Sequence, residues 1–488
     1  MTRRPYSRHL AELVAEQAER APAAPAVVAV DARWTWAQLD AAVDARARAL
    51  RARGLAEGGT LGLLCTNRAA WLATALGAHR LGARVACFSS FARAWDLEYL
   101  LEHSQADLLV CVRSFRGRDY GETLAELDDA RDVVWMDELT DPGGTLEPAP
   151  VSAADDAFVL YTSGSSARPK AIALQHHAVI ENGFNIGERM GLVASDRVLV
   201  AVPLFWAYGA INALPATFGH GACLVLQEAF EPAGALELIE AERCTALYTL
   251  PNLTTALVTD PTFTRARVAT LHTGLTIGTE GDLRRVMDEL GIEGICNVYG
   301  ATETYGNCCV TPWNWPAERR VISQGPPLPG VQLRIGASGE IEVGGRYVAR
   351  GHRGADGWYR SGDLGTLDDD GTLRFGSRAT EMIKTGGINV APREIEEFLG
   401  LHPDVAAVAV VGVPDERLAE VPVAFVVARE GAAPAPADLL AFCRERIAAY
   451  KVPARVHVVP ELPATDTGKL ARRRLVELDR IAEGSAAA

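Results

Sequence analysis

The sequence predicts an α/β fold, with a large N-terminal lobe of mostly parallel sheets, a small barrel-like unit and a small α+β C-terminal lobe. Its 488 residues are too many for one ordinary hydrophobic core, which indicates several structural units. From about residue 25 to 310, short aliphatic and β-branched runs alternate with Ala-rich segments of helical spacing. Such alternation is typical of parallel strands connected by helices. After Gly325 the runs become shorter and are bounded by Gly, Asp and Pro, which predicts a small antiparallel unit.

Individual runs predict the elements in chain order. The opening segment, up to Pro22, predicts a short amphipathic helix. Strands are predicted at 60–65, 83–88, 107–112, 197–202 and 222–226, and a surface linker at 140–156. The C-terminal block predicts helices at 393–403 and 437–450 and strands at 405–414, 422–428 and 454–462. A boundary is predicted near 376–380, where small residues without apolar periodicity suit either a hinge or a plain loop.

Composition and charge exclude several classes of function. Hydrophobic residues make up 48% and charged residues 23% of the chain, as in a folded protein. The formal net charge is -14 and no run of five or more Lys and Arg occurs, so we expect no nucleic-acid partner. We expect no membrane span, because no apolar window approaches ~18 residues, and no secretory signal. Nine scattered cysteines without CxxC spacing predict a reduced, cytoplasmic setting.

The sharpest local feature is AFVLYTSGSSARPKAIALQH at 157–176. An apolar run leads into a loop of small and hydroxyl residues with one cation: Thr162, Ser163, Gly164, Ser165, Ser166 and then Lys170. Consecutive backbone amides, hydroxyls and an ammonium can surround phosphate oxygens without steric obstruction. The Walker motif GxxxxGK[ST] is absent. On this pattern alone, a phosphate-binding loop and an ordinary polar turn remain equally open.

Four further segments extend this feature. They follow in the order NVYGATE (297–303), GWYRSGDLG (357–365), GSRATEMIKTGGINVAPREIE (376–396) and PATDTGKL (463–470). Together with YTSGSSARPK (161–170), they resemble the ordered signatures of the adenylate-forming superfamily, which includes acyl-CoA synthetases, carrier-protein adenylation domains and luciferases. The resemblance covers essentially the whole chain and is closest to the acid-CoA ligase type. It implies ATP and magnesium as cofactors and an acyl-adenylate intermediate.

The resemblance assigns nucleotide-binding roles within NVYGATE. It implies that Tyr299, next to Gly300, offers a flat face to adenine and that Asn297 reads the base edge with its amide. Thr302 is expected to bond a phosphate, and Glu303 to supply the hard oxygen that magnesium prefers. Without the resemblance, a structural Tyr-Gly turn would be the favoured explanation of this motif.

Two other segments complete the expected nucleotide site. The resemblance makes Asp363 the acceptor for both ribose hydroxyls, assisted by Arg378 after the next strand. Taken alone, the segment around Asp363 would be read as an Asx-turn. Gly274, Leu275 and Thr276 occupy the stretch that lines the adenine pocket in relatives, although the match is looser because relatives usually read GGAP there.

The C-terminal lobe carries the expected catalytic lysine. The resemblance implies that Lys469 stabilises the charge that develops on the α-phosphoryl group during adenylation. It also implies that residues 381–488 form a mobile lobe, which rotates about a hinge at 378–380, centred on Thr380, against the N-terminal lobe of residues 1–377. Rotation would bring Gly386 and Gly387 to a narrow acceptor tunnel, where glycine permits close backbone approach.

The sequence predicts the acid pocket less fully than the other parts of the site. PLFWAYGAINALPATFGHGA (203–222) resembles the segment that forms the pocket wall in the superfamily. Trp206 and Tyr208 are the candidate contacts for a short or aromatic acid, with simple packing as the alternative for each. No carboxylate stands there to hold an α-ammonium group, which argues against a standard amino acid substrate. Adenylation needs no proton abstraction from a carboxylate, so His176, His177 and His220 are expected to be structural.

These features predict an acid-thiol ligase that forms an acyl-adenylate from ATP and a small acid, releases pyrophosphate and transfers the acyl group to CoA. The alternatives are a stand-alone enzyme that loads a carrier protein or an amine, an activator of an unusual oxyanion such as nitrite, and a nucleotide-binding protein without catalysis. The predicted partners are a small-molecule acid and a CoA or carrier-protein thiol. We expect a monomer or a homodimer.

Overall fold

A computed structural model describes residues 9–127, 133–147, 149–162, 169–378, 382–463 and 472–486. Its strands are β1 Pro25–Val28, β2 Arg33–Thr35, β3 Thr60–Leu64, β4 Arg84–Phe88, β5 Leu108–Cys111, β6 Ser114–Phe115, β7 Arg118–Asp119, β8 Val133–Trp135, β9 Asp156–Thr162, β10 Lys170–Gln175, β11 Arg197–Val200, β12 Cys223–Leu226, β13 Ala246–Tyr248, β14 Thr273–Thr276, β15 Gly294–Tyr299, β16 Cys309–Val310, β17 Val331–Ile335, β18 Glu340–Gly345, β19 Tyr359–Leu367, β20 Leu373–Arg378, β21 Ile383–Thr385, β22 Ile388–Val390, β23 Val405–Asp415, β24 Ala419–Ala428 and β25 Arg455–Val458.

The helices are α1 Leu10–Arg20, α2 Trp36–Ala52, α3 Ala69–Arg80, α4 Ala94–Ser104, α5 Tyr120–Ala125, α6 His176–Met190, α7 Leu214–Gly219, α8 Pro232–Glu242, α9 Pro251–Thr259, α10 Glu280–Arg285, α11 Ala317–Val321, α12 Pro392–Leu399, α13 Pro436–Arg446 and α14 Arg472–Ala486. Short π-helical turns occur at Ala207–Ala213 and Val286–Leu290, and 3₁₀ turns at Thr302–Thr304 and Ala449–Lys451. None of the helices in the described ranges has the length and apolar character of a membrane-spanning segment.

Two large sheets form the N-terminal lobe. One has the order β10-β9-β4-β3-β5-β8 and is parallel except for β10, while the other has the order β16-β15-β14-β13-β11-β12-β1-β2 and is antiparallel only at its two edges. Helix α6 packs against strands of both sheets and against α7, and most of its residues are buried. The central strands are apolar throughout because helices cover both faces of each sheet.

Two smaller sheets follow along the chain. β17 to β20 form a four-stranded antiparallel sheet, and β21 to β25 form the five-stranded sheet of the C-terminal lobe. In that lobe, α12 and α13 pack over an apolar core that includes Phe398, Leu439 and Val410. The fold class predicted from the sequence, a multi-part N-terminal lobe and a small α+β C-terminal lobe, is therefore confirmed.

The predicted boundary at 376–380 differs from the structure in part. Gly376, Ser377 and Arg378 end strand β20, and Arg378 pairs with Asp363 across the ladder to β19. The segment lacks apolar periodicity because it lies at an edge of the small sheet, so its sequence resembles a loop. Residues 379–381, including Thr380, lie outside the described residues.

The nine cysteines all lie in described segments, and all are buried free thiols. Cys308 and Cys309 lie within the large core, where they pack as small apolar residues.

Candidate functional site

A cleft of about 560 Å³ lies at the carboxyl ends of the central strands and is closed on one side by the C-terminal lobe. The structure brings many of the predicted residues to this cleft. Its lining includes Thr162, Lys170, Trp206, Tyr208, Gly300, Thr302, Glu303 and Gly387. Residues far apart in sequence therefore share one wall, as expected where parallel strands end at the same edge.

The phosphate-loop signature spans a hairpin. Thr162 ends β9 and Lys170 begins β10, and the two residues are directly paired across the antiparallel ladder. Lys170 is exposed to the cleft. The loop residues Ser163, Gly164, Ser165 and Ser166 lie outside the described residues, as does Lys469. The pairing of Thr162 with Lys170 places a hydroxyl and an ammonium side by side at the cleft, a combination suited to phosphate oxygens.

A tight turn presents Glu303 to the cleft. It begins at Gly300, where an added Cβ would lie 2.1 Å from the carbonyl oxygen of Gly306, so only glycine fits. The following 3₁₀ turn, Thr302–Thr304, is anchored because the amide of Ala349 donates to the carbonyl of Glu303 at 2.7 Å. The Glu303 side chain is half-buried beside Thr302.

This turn can be tested as a magnesium site. No group of three or more His, Cys, Asp or Glu residues within the described ranges could hold a metal ion by itself. Magnesium in nucleotide sites is commonly held by one or two carboxylates together with substrate phosphates. Glu303, in the same cleft as Thr162 and Lys170, fits that limited role but not that of an all-protein metal cage.

Tyr299 and Asp363 are linked directly. The Tyr299 hydroxyl donates to Asp363 Oδ2 at 2.9 Å, and both side chains are buried. Burial, followed by the negative charge of Asp363, raises the pKa of Tyr299 far above its ordinary value, so the hydroxyl stays protonated and keeps donating. The ring stacks on Phe375 with centroids 5.9 Å apart. The expected adenine-stacking surface is therefore partly covered by Phe375 in this structure.

The lining of the cleft does not include Asn297, Gly274, Leu275 or Thr276, nor the linked pair Tyr299 and Asp363. The Asn297 amide is fully buried; it donates to the Ser323 carbonyl at 2.9 Å and accepts from the Val298 amide at 3.0 Å. It is therefore not placed to read a base edge, contrary to the expectation. Gly274, Leu275 and Thr276 are buried in β14, between β13 and β15, and do not line the cleft. These three residues are buried away from the cleft because β14 lies inside the sheet and is covered on both faces.

Trp206 and Tyr208, the expected contacts for the acid, both line the cleft. Trp206 directly precedes the π-helical turn Ala207–Ala213, a rare conformation that is frequent at functional sites. The Tyr208 hydroxyl donates to the Thr249 carbonyl at 3.2 Å. Burial raises its pKa well above the ordinary range, so Tyr208 is a neutral wall rather than an acid or base.

The histidines beside this region are internally bonded. His176 Nδ1 accepts from the Leu10 amide at 3.3 Å, and His220 Nδ1 donates to the Ala216 carbonyl at 2.8 Å. Burial, together with neighbouring histidines, lowers the pKa of His176 well below its ordinary value. These contacts agree with the structural role expected from the sequence.

Gly386 and Gly387 form the two-residue turn between β21 and β22, and both have positive φ angles, of 57° and 83°. Such hairpin turns require left-handed backbone at both positions, which glycine adopts without strain. A Cβ on Gly387 would lie 2.9 Å from Leu250 Cδ1 in the N-terminal lobe. The turn therefore touches the other lobe directly.

A second cavity of about 500 Å³ adjoins the cleft between the two lobes. It is mostly apolar and is lined by residues that include Phe91, Phe205, Trp206, Leu250, Gly386 and Tyr450. Three of these residues, Phe91, Leu250 and Tyr450, were not expected from the sequence. Aromatic and aliphatic side chains are also typical of a hydrophobic core. No local motif distinguishes a residue that lines a cavity from one that packs in the core.

Comparisons with known proteins agree on one family. The family described as AMP-binding enzyme matches residues 14–354, and the AMP-binding enzyme C-terminal domain matches residues 394–469. The putative acyl-CoA synthetase YngI of Bacillus subtilis is 30% identical, covering 96% of this chain and 96% of that protein. A feruloyl-CoA synthase of Amycolatopsis sp is 32% identical, covering 93% and 96% respectively.

Solved structures resemble the whole chain. A double mutant of o-succinylbenzoate CoA synthetase (MenE) from Bacillus subtilis, bound with its product analogue OSB-NCoA, has a TM-score of 0.84 at 25% identity, covering 96% of this chain and 99% of that chain. MenE in complex with the acyl-adenylate intermediate OSB-AMP has a TM-score of 0.68 at 25% identity, covering 96% and 98%. The amide bond synthetase McbA from Marinactinospora thermotolerans has a TM-score of 0.84 at 26% identity, covering 96% and 99%.

Proposed function

Because the chain belongs to the family of AMP-binding enzymes, we propose that its cleft holds ATP and an organic acid and that its second cavity admits the acceptor thiol. The enzyme is an acid-CoA ligase: it activates the acid as an acyl-adenylate and transfers the acyl group to CoA. The finer proposals concern the residues that bind each substrate, the role of magnesium and the movement of the C-terminal lobe.

One observation carries the assignment of two substrate sites. Phe205 and Trp206 line both the nucleotide-side cleft and the second cavity. A ligase that forms an adenylate and then hands the acyl group to a thiol needs two entrances that converge on one reacting carbon. The second cavity supplies an entrance separate from the phosphate side, where Thr162 and Lys170 lie.

The arrangement of the lobes supports the acceptor role of the Gly386–Gly387 turn. The same protein, MenE, matches this structure better with a CoA product analogue bound than with an acyl-adenylate bound, at nearly equal coverage. We infer that the present arrangement corresponds to acyl transfer. Adenylation would then need the lobe of residues 381–488 to rotate about 378–380 and bring Lys469 to the cleft.

The chain's own groups fit distinct steps of this reaction. In adenylation, the acid oxygen attacks the α-phosphorus of ATP, a P–O bond forms and pyrophosphate leaves. Lys170 and Thr162 would hold phosphate oxygens, and Asp363 would hold the ribose. Lys469 would stabilise the developing negative charge. Magnesium, held by Glu303 together with phosphate oxygens, would supply further charge neutralisation. In transfer, the thiol attacks the acyl carbon, a C–S bond forms and AMP leaves.

We propose that the acid is small or aromatic. Trp206 and neutral Tyr208 form an aromatic wall without a carboxylate, which suits an uncharged acyl chain or ring. A feruloyl-CoA synthase among the relatives is consistent with an aromatic acid.

The test is a panel of acids read by acid-dependent exchange of pyrophosphate into ATP, followed by CoA, carrier protein and amines as acceptors of the adenylate. We expect exchange with at least one small or aromatic acid and thioester formation with CoA. Absence of exchange with every acid, for a protein that is folded and binds ATP, would refute the proposed function.

An amine acceptor is the second candidate. The amide bond synthetase McbA matches this chain with the same TM-score as the product-bound MenE structure. The apolar lining of the second cavity would also accept an aromatic amine. Amide formation in the acceptor panel without thioester formation would favour this candidate. We propose a cytoplasmic location for either activity, in keeping with nine free thiols.

A further inference from the structure

A buried ion cluster joins the two lobes. Lys451 Nζ, in the C-terminal lobe, donates to Asp96 Oδ1 of the N-terminal lobe at 2.9 Å and to Glu394 Oε1 of its own lobe at 2.6 Å. All three side chains are buried, with exposures of 5%, 8% and 2% respectively. We call Asp96, Lys451 and Glu394 the interlobe ion cluster. All three residues line the cleft, but the two half-reactions described above assign a role to none of them.

The geometry fixes Asp96 firmly on the N-terminal side. It lies in the first turn of α4, and its Oδ2 accepts the backbone amide of Arg93 at 3.0 Å as part of a capping box. Its other oxygen, Oδ1, is thus directed at Lys451. On the opposite side, Lys451 ends a 3₁₀ turn and Glu394 lies in the first turn of α12. The cluster therefore connects rigid elements of both lobes.

The charges make this contact dependent on the lobe arrangement. Burial disfavours the ammonium of Lys451, but the negative charges of Asp96 and Glu394 outweigh that effect and raise its pKa well above the ordinary value. Lys451 and Glu394 move together when the lobe rotates, whereas Asp96 stays behind. Rotation must therefore break the Asp96–Lys451 bond and return both groups to water, because an unpaired buried charge is strongly unfavourable.

Aromatic contacts surround the cluster and share this dependence. The ring of Trp95, next to Asp96, meets Phe398 of the C-terminal lobe with centroids 5.3 Å apart. The ring of Tyr450, next to Lys451, meets Phe91 at 6.2 Å. Tyr450 and Phe91 also line the second cavity. A single interface thus combines the ion cluster with the wall of the proposed acceptor path.

We propose that Lys451 is a positioning residue for acyl transfer, whose bond to Asp96 selects the lobe arrangement that seats the Gly386–Gly387 turn against Leu250. This rests on the proposed function, because it assumes two half-reactions carried out in two arrangements. A variant that loses the bond populates the present arrangement less, and transfer slows in proportion to that population. Adenylation, which uses the other arrangement, does not slow.

The main variant is Asp96→Asn, which removes the interlobe charge but can still accept the Arg93 amide and leaves the Lys451–Glu394 pair intact. Lys451→Met removes the same bond from the other lobe. We expect each to slow transfer from preformed acyl-adenylate to CoA by about tenfold or more, with pyrophosphate exchange retained within about threefold. Lys451→Arg, which keeps the positive charge, should recover part of the transfer rate.

The matched control is Arg455→Met. It breaks an ion pair with buried Asp479 that lies wholly within the C-terminal lobe. It should alter the stability of that lobe while leaving the ratio of transfer to exchange at the wild-type value. A fall in this ratio equal to that of Asp96→Asn would mean that lobe destabilisation explains the effect, and would overturn the proposal.

A measurement independent of activity completes the test. Because all native cysteines are buried, spin labels can be attached at Ala41→Cys in α2 and Ala437→Cys in α13, both at exposed positions. We expect the interlobe distance distribution to shift or broaden in Asp96→Asn but not in Arg455→Met. Unchanged distances together with unchanged transfer would overturn the proposal. If the wild-type enzyme itself showed no pyrophosphate exchange, that result would instead contradict the proposed function.

Discussion

The hydroxyl of Tyr299, at the end of β15, donates to the carboxylate of Asp363 in β19 and so joins the eight-stranded sheet to the four-stranded sheet. Asp363 is the expected acceptor for the ribose hydroxyls, so Tyr299 holds the carboxylate that the nucleotide would use. The same bond thus links the packing of two sheets to the nucleotide site.

Removing that donor should weaken nucleotide binding. In Tyr299→Phe the buried Asp363 loses one hydrogen bond, an effect of about 1 kcal/mol, and we expect the KM for ATP to rise about fivefold in pyrophosphate exchange. Tyr248→Phe is the matched control, because the buried Tyr248 hydroxyl has no hydrogen-bond partner within the described ranges. An equal rise in both variants would contradict the role of the Tyr299–Asp363 bond.

Glu303→Gln should lose most of the magnesium-dependent turnover. The amide keeps the size of the side chain but lacks the charge that attracts a hard cation. We expect exchange to fall by about 100-fold and the magnesium concentration for half-maximal activity to rise. Glu318→Gln, at an exposed position in α11, is the control. Wild-type magnesium titration in Glu303→Gln would count against the metal role.

Lys469→Ala should abolish acid-dependent pyrophosphate exchange while the affinity for ATP stays within about tenfold of wild type. The lysine is expected to act on the transition-state charge more than on the bound ground state, so the rate falls further than binding does. Equilibrium binding of ATP and isotope exchange measure the two quantities separately. Unaltered exchange would refute the assignment.

Gly387→Ala should slow acyl transfer selectively. A residue with a side chain must adopt a left-handed backbone conformation there, which costs about 1–2 kcal/mol. The added methyl group would also contact Leu250 across the lobe interface. Gly431→Ala is the matched control, because Gly431 has a similar positive φ of 80° in the same lobe but open space around it. We expect equal losses of stability by thermal unfolding but a slower transfer step only in Gly387→Ala. Equal transfer rates in the two variants would be the contrary result.

The positions of helices and strands could be predicted from the sequence more completely than the directions in which their side chains point. The apolar runs predicted as strands at 60–65 and 107–112 correspond to β3 and β5. A continuous apolar run is typical of a strand that is buried on both faces inside a sheet. Asn297 and Leu275 are likewise buried in strands of a sheet interior and do not line the cleft. In strands covered on both faces, alternation of polar and apolar residues no longer tells which side chain meets the cleft.

Contacts between distant segments left no local signal. Asp96 and Lys451 are 355 positions apart, and each alone resembles an ordinary surface charge in a helical segment. Trp206 and Tyr208 could be proposed from the sequence because a motif surrounds them, whereas Leu250 and Tyr450 have no motif of their own. Leu250 and Tyr450 come together at one cavity only because one lobe packs on the other.

Trp206 lines both the cleft and the apolar cavity, which we propose to serve different reactants. A substitution that makes room for a bulkier acid would therefore also widen the route by which the acceptor arrives. Acid preference and acceptor preference should therefore change together as related enzymes diverge. Engineering of either one would call for compensating substitutions around the same indole.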